Sequence, residues 1–200
     1  MIDYTWDSIK IGAPDAYNIL FRDHSEMMFK YGMKLIRRAD VVEEAIQCVF
    51  VNLYKQRSTI SSPTSVRAYM LGALKNELLG CYNRQKRKRQ RETTEGQLDI
   101  ECKYEFLLEL DTEALIAVTE AEREKSVALQ KAIDKLPPRQ REAIYLKYYN
   151  NLSGAEIAQI MGISHQTART TLMNALTNLR KEMNVSVEAL MMILFMYLMR

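Results

Sequence analysis

Between residues 153 and 181 the chain reads SGAEIAQIMGISHQTARTTLMNALTNLRK, and the side chains suited to chemistry stand in its second half. Gln166, Thr167, Arg169, Thr170, Thr171 and Asn174 are amides, hydroxyls and one guanidinium, with Met173, Thr177 and Asn178 beyond them. Such a set hydrogen-bonds to base edges in a DNA major groove, where Gln and Arg are bidentate readers. This is recognition, not bond-making. The sequence offers no carboxylate pair on one helical face, no nucleophile beside a base and no phosphate loop, so an enzyme is not expected. His24 and His165 are the only histidines, too few and too far apart for a zinc site, and neither a metal nor a cofactor is expected.

The elements that must hold these residues follow from local signals. Ser153 and Glu156 make an S-x-x-E capping box that starts a helix. Ile157, Ala158, Ile160 and Met161 follow at helical spacing, with Ala158 small where a second helix must come close. Gly162 can take positive φ and end that helix, and Ser164 is a good N-cap for the next. In that second helix Ala168, Leu172, Ala175, Leu176 and Leu179 form one apolar stripe, which leaves the polar set facing outward. The spacing predicts a helix-turn-helix. A plain antiparallel helix pair with a solvated polar face is the alternative; the tight turn, the two caps and the small residue at the crossing favour the DNA-binding motif.

The rest of the chain bounds this reading. Of 200 residues 48% are hydrophobic, and only seven are Gly and four Pro, which fits packed helical cores in one or two domains. The net charge of +3 is small but segregated. RQKRKRQR, residues 84 to 91, holds six basic side chains and no acid, whereas residues 92 to 124 hold eleven acids against Lys103 and Arg123. One surface for phosphates and one that avoids or mimics them is the implication. Cys48, Cys81 and Cys102 are widely spaced and read as reduced structural thiols in a cytoplasmic protein. The start, MIDYTWDSIK, lacks a signal-peptide pattern.

We expect an all-α chain of two small helical domains joined by an acidic linker, the second domain containing the helix-turn-helix. Residues 1–13 read as a loose arm. In the first domain, 14–91, one helix runs from about Pro14 to Arg38 and a second from about Val41 to Arg57, with Val42, Ala45, Ile46, Val49, Phe50, Leu53 and Tyr54 as its stripe. RSTISSPTS at 57–65 is a loop, and a third helix starts near Pro63 and enters the basic block. Residues 92–124 resemble a tether more than a core element. The helix-turn-helix domain spans 125–183, with Leu136-Pro137-Pro138 breaking its first helix and Pro138 acceptable in the next one's first turn. The tail, 184–200, carries eleven consecutive apolar residues, ALMMILFMYLM. That is short of the roughly 20 a membrane span needs; a last helix packed on the second domain is the plain reading, with a docking site for a partner or a membrane-surface anchor as alternatives.

Several segments resemble, in order and spacing, the two conserved regions of bacterial RNA polymerase sigma factors, and among them the small extracytoplasmic-function (ECF) subgroup. They are VVEEAIQCVFVNLY, RAYMLGALKNELLGCYNRQKRKRQ, AIDKLPPRQREAIYLKYYNNLSGAEIAQIMGIS and ALTNLRK. The resemblance covers about residues 14 to 183. It implies a promoter-specificity subunit that binds core RNA polymerase and promoter DNA. It further implies that Glu43, Glu44, Gln47, Cys48 and Phe50 dock on a coiled coil of the polymerase clamp, with Cys48 where an acid or polar residue is usual. The loop at Ser58 to Ser65 would capture an extruded base of the −10 element, with Ser61, Ser62 and Thr64 as candidates. Tyr69, Lys75, Asn76 and Arg84 would lie along the strand, with Lys86 and Arg87 adding to a basic groove. The acidic linker would thread toward the polymerase's nucleic-acid channel, and Gln166, Thr167, Arg169, Thr170, Thr171 and Asn174 would read the −35 element. Family members are commonly held by an anti-sigma factor, which adds that class of partner. The competing reading is a stand-alone helix-turn-helix regulator. Such proteins dimerise on palindromic sites, and the separate first domain fits them less well.

Overall fold

The computed structural model describes residues 6–92, 105–109 and 120–198, with side chains over 6–80, 105–109, 123–186 and 188–194. Among these the regular elements are all helical. The chain divides into two compact units, Met1–Lys103 and Tyr104–Arg200.

In the first unit α1 spans Trp6–Lys10, α2 Pro14–Leu35, α3 Ala39–Lys55 and α4 Val66–Glu92. The core is made where three stripes meet. On α2, Ala16, Leu20, His24, Met28 and Tyr31 recur at helical spacing and are buried. Val42, Ala45, Ile46, Val49 and Leu53 do the same on α3, and Ala68, Leu71, Leu74 and Leu78 on α4. The α2–α3 crossing depends on Gly32, where a Cβ would meet Val42 Cγ1 at 2.5 Å. Any larger residue would push the helices apart. After Leu35 the backbone turns extended at Ile36, so α2 ends earlier than the apolar pattern through Arg38 suggests. Arg38 instead precedes α3 and forks onto Asp40, with Nη2 donating to Oδ2 at 2.5 Å.

Part of the expected loose arm is ordered. Trp6 and Ile9, three apart, give α1 an apolar edge; Ile9 is buried and Trp6 meets Tyr69 edge-on at 5.7 Å. The Tyr17 hydroxyl donates to the Ile9 carbonyl at 3.1 Å and ties α1 to α2. A short segment with two large side chains can pack where a run of polar residues could not.

In the second unit α5 spans Glu120–Asp134, α6 Pro138–Ile144, α7 Gly154–Met161, α8 His165–Met183 and α9 Val187–Leu198. A π-helical turn, Tyr145–Tyr149, continues α6. Asn151 then takes φ 51°, and the chain turns into α7. Leu129, Ile133, Ile144, Leu146, Ile157, Ala168, Ala175 and Leu179 fill the core. The tail forms α9, whose Leu190, Ile193 and Leu194 are buried. The Tyr148 hydroxyl reaches Met191 Sδ at 3.5 Å.

The acidic stretch corrects one expectation. Residues 105–109, EFLLE, are not a free tether but a non-helical strap on the second unit. Phe106 and Leu108 are buried, Phe106 lies 5.4 Å from the Tyr145 ring, and Gln130 Nε2 donates to the Leu108 carbonyl at 2.9 Å. Phe106 and Leu108, two apart, are both buried, while Glu105 and Glu109 are exposed. The remainder of residues 93–119 lies outside the described residues, as do the side chains of Cys81 and Cys102. Among the described residues no helix is long and apolar enough to cross a membrane.

Candidate nucleic-acid interface

The corner between α7 and α8 is fixed at three points by its own sequence. The Glu156 amide donates to Ser153 Oγ at 3.3 Å, and the Ser153 amide donates to Glu156 Oε2 at 2.7 Å, closing the capping box. At the other end Gly162 sits at φ 63°, and the Ile163 amide reaches the Ala158 carbonyl at 3.0 Å. Ser164 Oγ then accepts from the Thr167 amide at 3.0 Å and starts α8. Ala158, Ala168 and Ala175 are buried, so the two helices approach over small side chains. Asn178 Nδ2 donates to Gln140 Oε1 at 2.9 Å, and a Lys135–Glu182 ion pair adds a second tie across the unit.

This frame holds up the polar face of α8. Gln166, Thr167, Arg169, Thr170 and Asn174 are exposed, and Thr171 is half-buried toward the stripe. The threonines are not free rotors. Thr170 Oγ1 donates to the Gln166 carbonyl at 3.0 Å, and Thr171 Oγ1 to the Thr167 carbonyl at 2.8 Å. Thr167 Oγ1 shares a hydrogen bond with Ser164 Oγ at 2.8 Å. Thr170 and Thr171 thus commit their hydroxyl hydrogens to the helix backbone, which leaves lone pairs and methyl groups for a partner. His165 is exposed and lies over the start of α7, its Nε2 3.1 Å from where a Cβ on Gly154 would sit.

On the first unit, Glu43, Glu44 and Gln47 form an exposed row on α3, with Cys48 beside it half-buried. Phe50 departs from that row: it packs edge-on against Phe21 at 5.1 Å on the α2–α3 seam. A second aromatic pair, Tyr17–Tyr54 at 5.4 Å, continues the seam, and the Arg57 guanidinium covers the Tyr54 ring at 4.2 Å. Phe21, Val51 and Tyr54 remain substantially exposed next to the acidic row.

The loop before α4 presents Ser61, Ser62 and Thr64 to solvent. It is anchored at its edges: Thr59 Oγ1 donates to the Gln56 carbonyl at 2.9 Å, and Ser65 Oγ accepts from the Ala68 amide at 3.2 Å. That cap starts α4 at Val66 rather than near Pro63. Asn76 is exposed on α4. Tyr69 is half-buried against Trp6, and burial raises its phenol pKa above the usual range. Lys75 corrects the expectation of a strand-facing lysine: it is only 6% exposed and engaged within the fold. Position 75 falls among Leu71, Leu74 and Leu78 on the buried stripe, so helical geometry turns it inward. The side chains of Arg84, Lys86 and Arg87 lie outside the described residues, although the backbone there continues α4. Among the described residues no group of His, Cys, Asp or Glu could hold a metal ion.

Two features escape the sequence reading. One is the strap at 105–109, which only a short i, i+2 alternation within an acidic run could have betrayed. The other is Trp6 on Tyr69, which needs the tertiary fold.

The chain's likeness to known proteins agrees with this geometry. The profile of sigma-70 region 4 matches residues 126–179, which contain the corner and most of α8. The RNA polymerase sigma factor YlaC of Bacillus subtilis is 23% identical over 181 residues, covering 87% of this chain and 95% of the relative. The ECF RNA polymerase sigma factor SigK of Mycobacterium ulcerans is 26% identical over 178 residues, covering 88% and 89%. Among solved structures, CnrH in complex with the cytosolic domain of CnrY superposes with TM-score 0.55 at 15% identity, covering 90% of this chain and 94% of that one. RpoE of Bartonella quintana, in complex with the anti-sigma factor NepR, gives TM-score 0.52 at 19% identity, covering 86% and 96%. Helical units on this plan, a capped corner with a polar outward face and relatives matched along nearly their whole length agree: residues 126–179 match sigma-70 region 4, and the chain is similar over most of its length to bacterial RNA polymerase sigma factors, the ECF subgroup among them.

Proposed function

We propose that this protein binds core RNA polymerase and directs initiation at promoters it recognises at two points. The capped corner carries the proposal: α8 is held rigidly, with an uncharged polar centre turned outward, in a chain whose length matches sigma factors throughout. On this reading Gln166, Thr167, Arg169, Thr170, Thr171 and Asn174 meet the −35 element as duplex. Each good base contact supplies about 1–3 kcal/mol.

The first unit takes the −10 element and the polymerase. Opening DNA costs roughly 1.4 kcal/mol per stacking step. A pocket for a displaced base at Ser61, Ser62 and Thr64 would offset part of that cost, and a basic groove from Arg84, Lys86 and Arg87 would hold phosphates. Tyr69 and Asn76 face the same task; Lys75 supports α4 from inside. The exposed acidic row Glu43, Glu44 and Gln47 is the surface for a basic clamp helix. Cys48 and Phe50 belong to the edge of that surface, through the aromatic seam. The protein makes no bonds itself. An anti-sigma factor is a further partner, since CnrH and RpoE were each solved with a protein bound.

The test is transcription. Core polymerase with the full chain should give run-off product from a cognate promoter and none from one with a scrambled −35 element. A chain that binds palindromic duplex by itself as a dimer, and leaves polymerase unchanged, would establish the stand-alone regulator instead.

A further inference from the structure

Resting on the reading of α8 as the duplex-reading helix, we infer that it recognises thymine by its 5-methyl group, with Thr170 and Met173 as the specificity-determining residues. Gln166, Thr170 and Met173 are spaced four and three apart and make one row on α8. The opposite side of the helix is the buried stripe of Ala168, Ala175 and Leu179, so this row faces out. Thr170 has its hydroxyl hydrogen committed to the Gln166 carbonyl at 3.0 Å, which leaves its γ-methyl and lone pairs for a partner. Met173, one turn further, is 58% exposed and has no hydrogen to donate.

A single exposed methionine is ordinary on a protein surface. Two things set this one apart. It stands in the outward row of a recognition helix, where charged or amide readers would otherwise be expected, and among the described residues it stays mostly exposed. The cleft between α8 and α9, lined by Leu176, Thr177, Arg180, Leu190 and Met191, begins beyond it. The row therefore starts with an amide and ends in two apolar groups. In the major groove a base pair offers one apolar group, the thymine methyl. Asn174, the next residue and also exposed, is suited to the N6 and N7 edge of adenine. An A·T-containing step under the middle of α8 satisfies all three side chains, and Arg169 remains the only cationic reader in the set.

The experiment uses holoenzyme assembled from the full chain and core polymerase. Functional upstream elements are first selected from a promoter library randomised in that region. Each thymine of a selected element is then replaced by deoxyuridine, which deletes only the methyl. We expect thymine at one or two fixed positions. Its replacement by deoxyuridine there should lower open-complex formation about fourfold, the worth of one buried methyl. Thr170→Ser keeps the hydroxyl and its bond but loses the methyl; Met173→Ala loses the thioether from an exposed site. Each should weaken initiation on thymine and abolish the deoxyuridine penalty at its own position. Selected elements without thymine, tolerance of deoxyuridine throughout, or an undiminished penalty in both variants would overturn the inference and leave the sigma reading standing. Absence of any promoter-selective initiation would overturn both.

Discussion

The corner at 153–167 and the loop at 56–65 are given opposite mechanical properties. The corner is closed by a capping box, a left-handed glycine and a serine cap within fifteen residues. The loop is pinned only at its edges, by Thr59 and Ser65, with Ser61, Ser62 and Thr64 left in solvent. The difference suits the two substrates proposed. A duplex groove is already formed and rewards a rigid reader. A base that must be drawn from the stack needs a pocket able to close around it.

This contrast predicts where mutations act. The largest effect concerns what secures the rigid unit from behind. Phe106→Ala should destabilise the second unit by about 3–5 kcal/mol if the strap is part of its core. The readout is the second unit's unfolding transition, with proteolysis at 105–109 as a companion; an unchanged transition would return the strap to the status of a tether. Next, Gly32→Ala forces a Cβ onto Val42 and should cost the first unit about 1–3 kcal/mol by overpacking. Calorimetry should find the second unit's melting unaffected.

The sharpest contrast is between two serines. Ser153→Ala removes a cap and should lower stability by about 1 kcal/mol. Ser62→Ala, in the open loop, should stay within about 0.5 kcal/mol of the parent. Denaturant titration of both variants distinguishes a built corner from an adaptable loop, and equal losses would erase the distinction.

The smallest effect is in pH. Burial of His24 lowers its pKa below the ordinary 6.5; the hydrogen bond its Nδ1–H donates to the Leu20 carbonyl at 3.1 Å and the charge of Asp23 oppose this, and Arg67 adds to it. The folded state therefore favours the neutral ring. Its contribution is fully present above about pH 6.5 and is lost as pH falls toward the folded pKa, because the unfolded chain takes the proton first. The urea midpoint of the first unit should drop between pH 7 and pH 5, and His24→Leu should flatten that part of the slope.

The two regions also differ in how legible they are. The corner's caps and stripe could be read residue by residue, because each signal lies within four positions of its partner. The core of α3 was equally legible in its apolar period. Lys75 was not: its motif position pointed to a strand, whereas its helical phase, set by Leu71, Leu74 and Leu78, turns it inward. Phe50 is legible only in part: its phase places it on the apolar stripe of α3, but its partner Phe21, twenty-nine residues away, follows from the fold alone. The strap was hidden because its acids dominate its composition, while two alternate apolar side chains decide its placement. Contacts made across helices, and not along them, are what local patterns miss.

The division of labour is tested most directly by probing one promoter with permanganate, which oxidises unpaired thymines, alongside a footprint. With holoenzyme the account predicts protection at two separate elements and thymine reactivity confined to the downstream one, with the upstream element still duplex. Reactivity in the upstream element, or a single symmetric footprint made by the chain without polymerase, would contradict it.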